Sequence, residues 1–317
     1  MANETKGVFT LQDVRDRVLV STWIGWYEVP ANYTSTNHAW VAIGGRTAVN
    51  RLIFSIDTAT AGTRGPLTAQ RYYSGAHGNT TDAWYSSGGL STVDRIIFLT
   101  DTATAVVRGP RSLVAEGSVA HGNTTDTWFG GGRSATYFTT IDRIIFSSDT
   151  ATAVAKGPLT VSRYYPAAHG STTDAWFGGG NIPGLVSSVD RSIFASDTAT
   201  AVVKGPLTAS NYSGGMHGNN TDAWYGLGYR LFYPSGVTTT NRIIFASDTA
   251  AAVVKGPLAQ TRYFTTAGGN TTDAWWFGGS VGGPSSSLID RLIFATDTAT
   301  GTARSTLTVG QSSGVCN

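Results

Sequence analysis

The sequence predicts an all-β fold, namely a six-bladed β-propeller of four-stranded blades that is closed by the C-terminal strand. Three observations predict it: the composition, a sixfold internal repeat and the local pattern within each repeat. Charged residues make up only 13% of the 317 residues, while 39 are glycine and 11% are aromatic. This balance suits short strands joined by tight turns better than long solvated helices.

One phrase, Thr-Thr-Asp-Ala-Trp followed by an aromatic residue and glycines, recurs along the chain with variations. Its tryptophan returns after intervals of 44 to 51 residues. The six copies contain Trp40, Trp84, Trp128, Trp176, Trp224 and Trp275. Six copies at this period indicate a propeller or a solenoid.

Each repeat contains four short segments that have the pattern of strands. In the fourth repeat they are residues 163–169, 174–178, 189–195 and 201–207, bounded by Gly, Pro, Asn, Asp or Thr. The third segment is apolar on both sides, as expected when neighbouring blades cover both of its faces. Radially arranged four-stranded blades are therefore predicted for residues 31–317.

The C-terminal residues are expected to complete the first blade. Residues 306–316 align with residues 158–168, which places the end of the chain on an innermost strand. The first copy of the phrase, at 37–45, lacks such a strand of its own. We therefore expect the C-terminal tail to join the first and last blades and to remove two exposed sheet edges.

Residues 1–30 lie outside the repeat and form the predicted docking segment, helical or extended. Leu11, Val14 and Val18 have the spacing of one short amphipathic helix, and Trp23 and Trp26 follow. Two interpretations remain open for this apolar segment. It is either a flap packed on the propeller or a site of docking or oligomerisation.

At these positions the sequence resembles Kelch-type propellers. Arg71, Arg163 and Arg262 open the first strand of a blade, glycine pairs end the second strand, and an Asp-x-x-Thr turn follows the third. Ala115 and Asn211 replace the arginine in two blades. The tryptophan lies on the second strand instead of after the third. The resemblance implies a propeller architecture.

Four of the five histidines occupy one position of the repeat. They are His77, His121, His169 and His217. Because equivalent residues stand one per blade, we expect separations above about 10 Å, too long for shared metal ligation. Gly268 also interrupts the series. We expect neither a metal nor a cofactor here, and each histidine is expected to bond to a neighbouring turn.

The sequence predicts no enzyme, because the repeated Asp and Arg residues have six equivalent environments and catalysis needs singular ones. Pairs such as Asp94-Arg95 are expected to link adjacent blades. Residues 196–200 lack the Gly and Trp of a sialidase-type turn, and Glu occurs only at 4, 28 and 116. Copper chemistry of the galactose-oxidase kind needs a cysteine in its cluster, whereas Cys316 lies near the chain end. The Asn-x-Thr triplets are interpreted as turns.

The loop between the second and third strands varies most between repeats, as recognition loops do in a rigid ring. It is longest in the fifth repeat. The candidate interaction residues are Tyr137, Tyr229, Arg230, Phe232 and Tyr233, of types enriched at interfaces. Neutral insertion is the alternative explanation of this variation.

Charge and hydropathy exclude other classes of partner. The net charge is +2 with no basic run, so a non-specific nucleic-acid surface is not expected. No stretch of 18 apolar residues is present, so no membrane-spanning helix is expected.

A narrower resemblance is carried by the N-terminal Gly-Val-Phe-Thr-Leu-Gln-Asp-Val and by repeats reading Asp-Arg-Ile-Ile-Phe-x-x-Asp-Thr-Ala-Thr-Ala-Val-Val-Lys-Gly-Pro-Leu. The sequence resembles virion structural proteins of tailed phages, particularly those of cyanobacteria. This implies a tail, tail-fibre or baseplate component, synthesised in the host cytoplasm. It would dock through its N-terminus on other virion proteins, in several copies, and present a propeller face for assembly or for attachment to a host glycan. The alternative is a carbohydrate-binding, lectin-like propeller.

Overall fold

Each repeat forms one four-stranded antiparallel sheet, and six such sheets surround a common axis. The structure is a computed structural model that describes residues 37–182, 184–230, 236–282, 284–311 and 315–316. The docking segment, with Leu11, Val14, Val18, Trp23 and Trp26, lies outside these residues, as do Phe232 and Tyr233. The sequence-based prediction of six four-stranded blades is confirmed.

The first three blades contain the following strands, given in chain order. Blade one contains β1 (His38–Ala42), β2 (Val49–Ile53) and β3 (Gly62–Arg64). Blade two contains β4 (Ser74–Gly78), β5 (Asp82–Ser87), β6 (Val93–Ile97) and β7 (Val106–Arg108). Blade three contains β8 (Val119–Gly122), β9 (Asp126–Gly130), β10 (Ile141–Ile145) and β11 (Val154–Lys156).

The remaining strands complete the ring. Blade four contains β12 (Ala167–Gly170), β13 (Asp174–Gly178), β16 (Val189–Ile193) and β17 (Val202–Lys204), with a small hairpin of β14 (Asn181–Ile182) and β15 (Gly184–Leu185). Blade five contains β18 (Gly215–Gly218), β19 (Asp222–Gly226), β20 (Thr240–Ile244) and β21 (Val253–Lys255). Blade six contains β22 (Thr266–Gly269), β23 (Asp273–Phe277), β24 (Ser286–Ile293) and β25 (Thr302–Gln311), and the last strand is β26 (Val315–Cys316).

A single turn of 3₁₀-helix follows the third strand of every blade. The six turns are Phe54–Ile56, Phe98–Thr100, Phe146–Ser148, Phe194–Ser196, Phe245–Ser247 and Phe294–Thr296. Strand direction then defines two faces of the ring. The turn face carries the turns between first and second strands and between third and fourth strands. The loop face carries the loops between second and third strands and the connections from one blade to the next.

The C-terminal strand β26 is the innermost strand of blade one, as predicted. It pairs antiparallel with β1 through Cys316–Val41 and Val315–Ala42. In blade four, Ala168 pairs with Phe177 in the equivalent register. In this antiparallel pair, the first residue of β1 lies beside the last residue of β26. These two chain positions therefore both lie at the turn face.

The contact between neighbouring blades is built on the repeated tryptophans. Each of the six indoles stacks on a phenylalanine of the next blade, with ring centroids 3.8 to 4.1 Å apart. The indole N–H of Trp84, for example, donates to Asp149 Oδ2 at 2.8 Å. The same pair of contacts closes the ring, where Trp275 stacks on Phe54 and donates to Asp57. Apolar stacking fixes every junction, and a buried indole–aspartate hydrogen bond adds to it at five of the six, the exception being Trp176.

Arginines of the third strands reinforce these junctions, which confirms that arginines of the Asp-Arg pairs link adjacent blades. Arg95 lies over the indole of Trp84, and its Nε donates to Asp82 in the same blade at 2.8 Å. Its Nη1 lies 3.4 Å from Asp149 in the next blade. Asp94 itself faces the interior of the blade instead.

A second ion pair, fully buried, lies inside each of three blades. Arg71 pairs with Asp94, and equivalent pairs join Arg163 to Asp190 and Arg262 to Asp290. These arginines also donate to backbone carbonyls at the end of the second strand, as Arg163 does to Gly179. Because this arginine points into the blade, the first strand of blade four begins at Ala167, later than the predicted residue 163.

Two blades that lack this arginine compensate in different ways. In blade three, Ala115 replaces it, and Arg111 pairs with Asp142 at 3.0 Å, with neither side chain exposed. In blade five, Asn211 replaces the arginine, and Asn241 stands where blades two, three, four and six have aspartate; blade one likewise has Asn50 there. The buried charge is removed together with its partner, because an unpaired buried charge is strongly destabilising.

Candidate functional site

Aromatic side chains form a nearly continuous surface on the loop face. This aromatic platform comprises Tyr72, Tyr73, Tyr137, Tyr164, Tyr165, Tyr212, Tyr229, Tyr263 and Phe264. Neighbouring rings have centroids 3.7 to 6.4 Å apart. Tyr72 is about half exposed, at 49%, Tyr164 and Tyr165 are buried, and the other six rings are partly exposed.

Three rings of the platform meet near the axis. Tyr73 lies 4.4 Å from Tyr165 and 4.9 Å from Phe264, and the last two are 5.2 Å apart between centroids. All three residues have positive φ angles of 52° to 55°, an uncommon conformation for bulky residues. The equivalent residues Gly117 and Ser213 have smaller side chains. Their small size leaves room for three rings rather than five.

A cavity lies along the axis beneath these rings. Its empty volume is about 580 Å³, including space open to solvent. Its wall consists mainly of small residues of the innermost strands, such as Ser74, Gly75 and Ala76 in blade two. The cavity is therefore narrow along the axis and opens beneath the aromatic rings.

One polar cluster interrupts the aromatic platform between blades three and four. Glu116 Oε1 accepts a hydrogen bond from the Tyr164 hydroxyl at 2.7 Å and one from Arg133 Nε at 3.0 Å. The Arg133 guanidinium lies 4.1 Å from the centre of the Tyr164 ring. The hydroxyls of Tyr164 and Tyr165 are 2.5 Å apart. Burial raises the pKa of both phenols, so they are protonated at neutral pH.

The sequence of blade three creates this cluster. Where other blades have Arg-Tyr-Tyr or a variant, blade three has Ala115, Glu116 and Gly117. A Cβ on Gly117, whose φ is +66°, would lie 2.5 Å from the Tyr164 ring. Only glycine admits that ring here. Tyr164 of blade four therefore folds over blade three and reaches Glu116, and the Tyr165 hydroxyl lies beside that of Tyr164.

Three of the five predicted interaction residues lie in or beside this platform. The Tyr137 ring is 6.1 Å from that of Tyr164, and Tyr229 lies between Tyr212 at 5.3 Å and Tyr263 at 5.6 Å. Arg230 Nη2 donates to Thr239 Oγ1 at 3.2 Å. No test of their predicted role exists, so it stays a prediction.

Sequence reasoning missed most of the platform and the whole polar cluster. For the platform, the sequence signal was the repeated Arg-Tyr-Tyr phrase. Its arginine was interpreted as the start of the first strand, whereas its tyrosines were given no function. For the cluster, the signal was a single glutamate within the repeats.

The expected wide separation of the histidines is wrong. Centroids of successive rings in the series His77, His121, His169 and His217 are only 4.8 to 5.1 Å apart. The reason is that these residues lie on the innermost strands, where the circumference of the ring is smallest. They form an arc on the turn-face side of the axis.

The histidines bond to neighbouring turns, as expected, in two clear cases. His121 Nε2 is 3.1 Å from the Ser171 carbonyl oxygen, and His217 Nε2 is 3.4 Å from that of Asn270. Burial lowers the pKa of His77 to about 3 and of His121 and His217 to about 4. The arc is therefore neutral at pH 7.

Within the described residues, no group of three or more His, Cys, Asp or Glu side chains has an arrangement that could hold a metal ion. No helix in the same ranges is both long and apolar enough to cross a membrane.

The Asn-x-Thr triplets form turns, as interpreted from the sequence. Asn79 Oδ1 accepts the backbone N–H groups of Thr81 and Asp82, each at 2.9 Å. The equivalent asparagines of three other blades, Asn123, Asn219 and Asn270, do the same. These side chains stabilise the turn through their own amide oxygen.

Comparison with known proteins identifies the fold but no family. No family model matches the chain, and no curated protein matches it. Among solved structures, YjhT superposes with a TM-score of 0.67 at 12% sequence identity. The match covers 87% of this chain and 98% of YjhT.

This comparison corrects the expectation that the chain is not an enzyme. YjhT is a six-bladed, sialidase-like propeller that acts as an enzyme, so a repeated fold of this kind does not exclude catalysis. The premise of that expectation also fails, because the blades are not equivalent: Glu116, Arg133 and Tyr164 form a singular cluster. The sheet topology and the similarity to YjhT both show that the chain is a six-bladed β-propeller.

Proposed function

We propose that the chain binds a glycan on its loop face, as a host-attachment component of a tailed-phage virion. The observation that carries the binding proposal is the aromatic platform. Solvent-facing tyrosines offer flat apolar surface for the C–H faces of sugar rings and hydroxyls for hydrogen bonds, at little cost in conformational entropy.

The surroundings of the platform support the same class of ligand. The axial cavity beneath it is lined mainly by small residues, and the net charge of the chain is only +2. A nucleic acid or an anionic membrane would call for a basic surface. A neutral, hydroxyl-rich ligand needs no basic surface.

The virion part of the proposal rests on the sequence resemblance, as does the finer assignment to a Kelch-like propeller. In it, residues 1–30 anchor the chain to neighbouring virion proteins, and the loop face remains available to the host surface. Deleting residues 1–30 is expected to abolish incorporation into particles. Unchanged incorporation would contradict the anchoring role.

A glycan array with the full chain tests the binding proposal. Tyr72→Ala removes an exposed platform ring and Tyr229→Ala a partly exposed one, and each is expected to weaken the strongest glycan signal about tenfold. Leu99→Ala is the matched control, because Leu99 is an exposed apolar residue of the turn face. Absence of any glycan signal from the unmodified chain would overturn the proposal, as would equal losses in Leu99→Ala.

A further inference from the structure

One position on the loop face differs from its five counterparts, and this difference indicates what the platform selects. We propose that Glu116 and Arg133 form the specificity-determining subsite for an uncharged pyranose that carries two adjacent free hydroxyl groups. The inference rests on the proposed glycan-binding function and goes beyond it by naming the ligand class and the residues that choose it.

The first step is that packing within blade three does not require Glu116. The structural arginine of other blades is supplied here by Arg111, which is fully buried against Asp142 and also donates to Ser118 at 2.7 Å. The segment 115–117 is thereby released from the Arg-Tyr-Tyr pattern. Its glutamate side chain remains about one third exposed, at 32%.

The second step is that the pair is held ready for a ligand. Glu116 accepts both of its observed bonds at Oε1, from Arg133 Nε and from Tyr164. Its other oxygen, Oε2, therefore retains bonding capacity. Arg133 also bonds to the Tyr137 side chain, which leaves further N–H groups of its guanidinium for a ligand. Stacking over the Tyr164 ring fixes the guanidinium plane, so little conformational entropy is lost when a ligand binds.

The third step is the chemistry of the ligand. Of two neighbouring sugar hydroxyls, one can donate to the carboxylate and the other can accept from the guanidinium, and both bonds are charge-assisted. The pair has no net charge, so an acidic sugar would gain no compensating cation and would face the Glu116 carboxylate. Tyr137, half-buried beside Tyr164, offers apolar surface to the sugar ring.

Binding of methyl glycosides of glucose, galactose and mannose, measured by saturation-transfer NMR and calorimetry, tests the proposal on the full chain. Glu116→Gln and Arg133→Gln are expected to weaken binding of the preferred glycoside about tenfold. Removal of either adjacent hydroxyl in deoxy analogues should have a similar effect. Arg46→Gln is the matched control, since Arg46 is an exposed arginine on the same face in blade one.

The outcomes separate this inference from the proposed function. If Tyr72→Ala weakens binding while Glu116→Gln and Arg133→Gln remain within about twofold of the unmodified chain, the subsite is wrong and the platform stands. Preference for the methyl glycoside of N-acetylneuraminic acid would also overturn the subsite. If the unmodified chain binds no glycan at all, the proposed function fails first. Unchanged circular dichroism and melting temperature in both variants would show that they are folded.

Discussion

At the scale of single residues, the tryptophans illustrate what a repeat can and cannot reveal. Their recurrence predicts burial, and all six are at most 2% exposed. Each stacks on a phenylalanine of the next blade, and five of the six also donate to an aspartate of that blade, some 60 or more residues away in most cases. A single sequence gives no signal for pairs that the closing of the ring brings together.

Replacing one of these indoles separates its stacking from its hydrogen bond. Trp128→Phe removes the 3.0 Å bond to Asp197 and leaves a buried carboxylate with one donor fewer. We expect it to lower the free energy of unfolding by about 1–3 kcal/mol more than Trp176→Phe does, in urea denaturation. Trp176 is the matched control, because its Nε1 has no hydrogen-bond partner. Equal losses would show that the hydrogen bond contributes nothing measurable.

The histidine arc gives a prediction on pH. Burial lowers the pKa of these side chains from 6.5 in the unfolded chain to about 3 or 4 in the folded one. The unfolded state therefore binds protons first, and the fold loses stability as the pH falls from 6.5 towards 4. Each histidine contributes a slope of about 1.4 kcal/mol per pH unit in this window.

His121→Asn tests this slope, because Asn cannot take up a proton. Between pH 7 and pH 5, above the range in which ordinary aspartates titrate, its stability should fall less steeply than that of the unmodified chain. Equal slopes by urea denaturation would mean that His121 is hydrated and titrates normally.

At the scale of the element, the second strand of blade four was predicted well and its first strand less well. The second strand of blade four matches its predicted range, 174–178, because its turn residues mark both ends. The first strand is shorter than predicted, since its leading arginine is buried inside the blade. The polar cluster of Glu116 lies where blade three departs from the repeat, and a repeat-based argument treats such departures as noise.

The two asparagines of blade five that replace an arginine and an aspartate predict a coupled effect on stability. Asn241→Asp places a carboxylate in a buried position, without the arginine that pairs with it in blades two, four and six. The free energy of unfolding is expected to fall by about 3–5 kcal/mol, as for other unpaired buried charges.

The double variant Asn211→Arg/Asn241→Asp restores the pair found in blades two, four and six, and should recover much of this loss. A double-mutant cycle measures the coupling between the two positions. A double variant no more stable than Asn241→Asp alone would refute the compensation.

At the scale of the whole molecule, closure of the ring was foreseen from an alignment of the chain with itself. The register of β26 against β1 agrees with that alignment residue for residue. The function of the ring was harder to predict from the sequence, because the aromatic platform and the polar cluster are each assembled from residues of several blades. Similarity in fold to YjhT does not supply that function, since the two share only 12% identity.

Removing the closing strand tests its contribution to stability. Deletion of residues 312–317 leaves β1 without its inner partner and exposes a sheet edge. We expect the melting temperature to fall on the order of 10 °C, with a broader transition in calorimetry. Deletion of Asn317 alone leaves Val315 and Cys316 in place and is the control. Identical melting of the two truncations would show that closure is not stabilising.

The antiparallel pairing of β1 with β26 gives the ring a polarity. Asn37, directly before β1, and Cys316, at the end of β26, both lie at the turn face, on the opposite side of the ring from the tyrosines. Contacts made at that face therefore leave the aromatic platform uncovered.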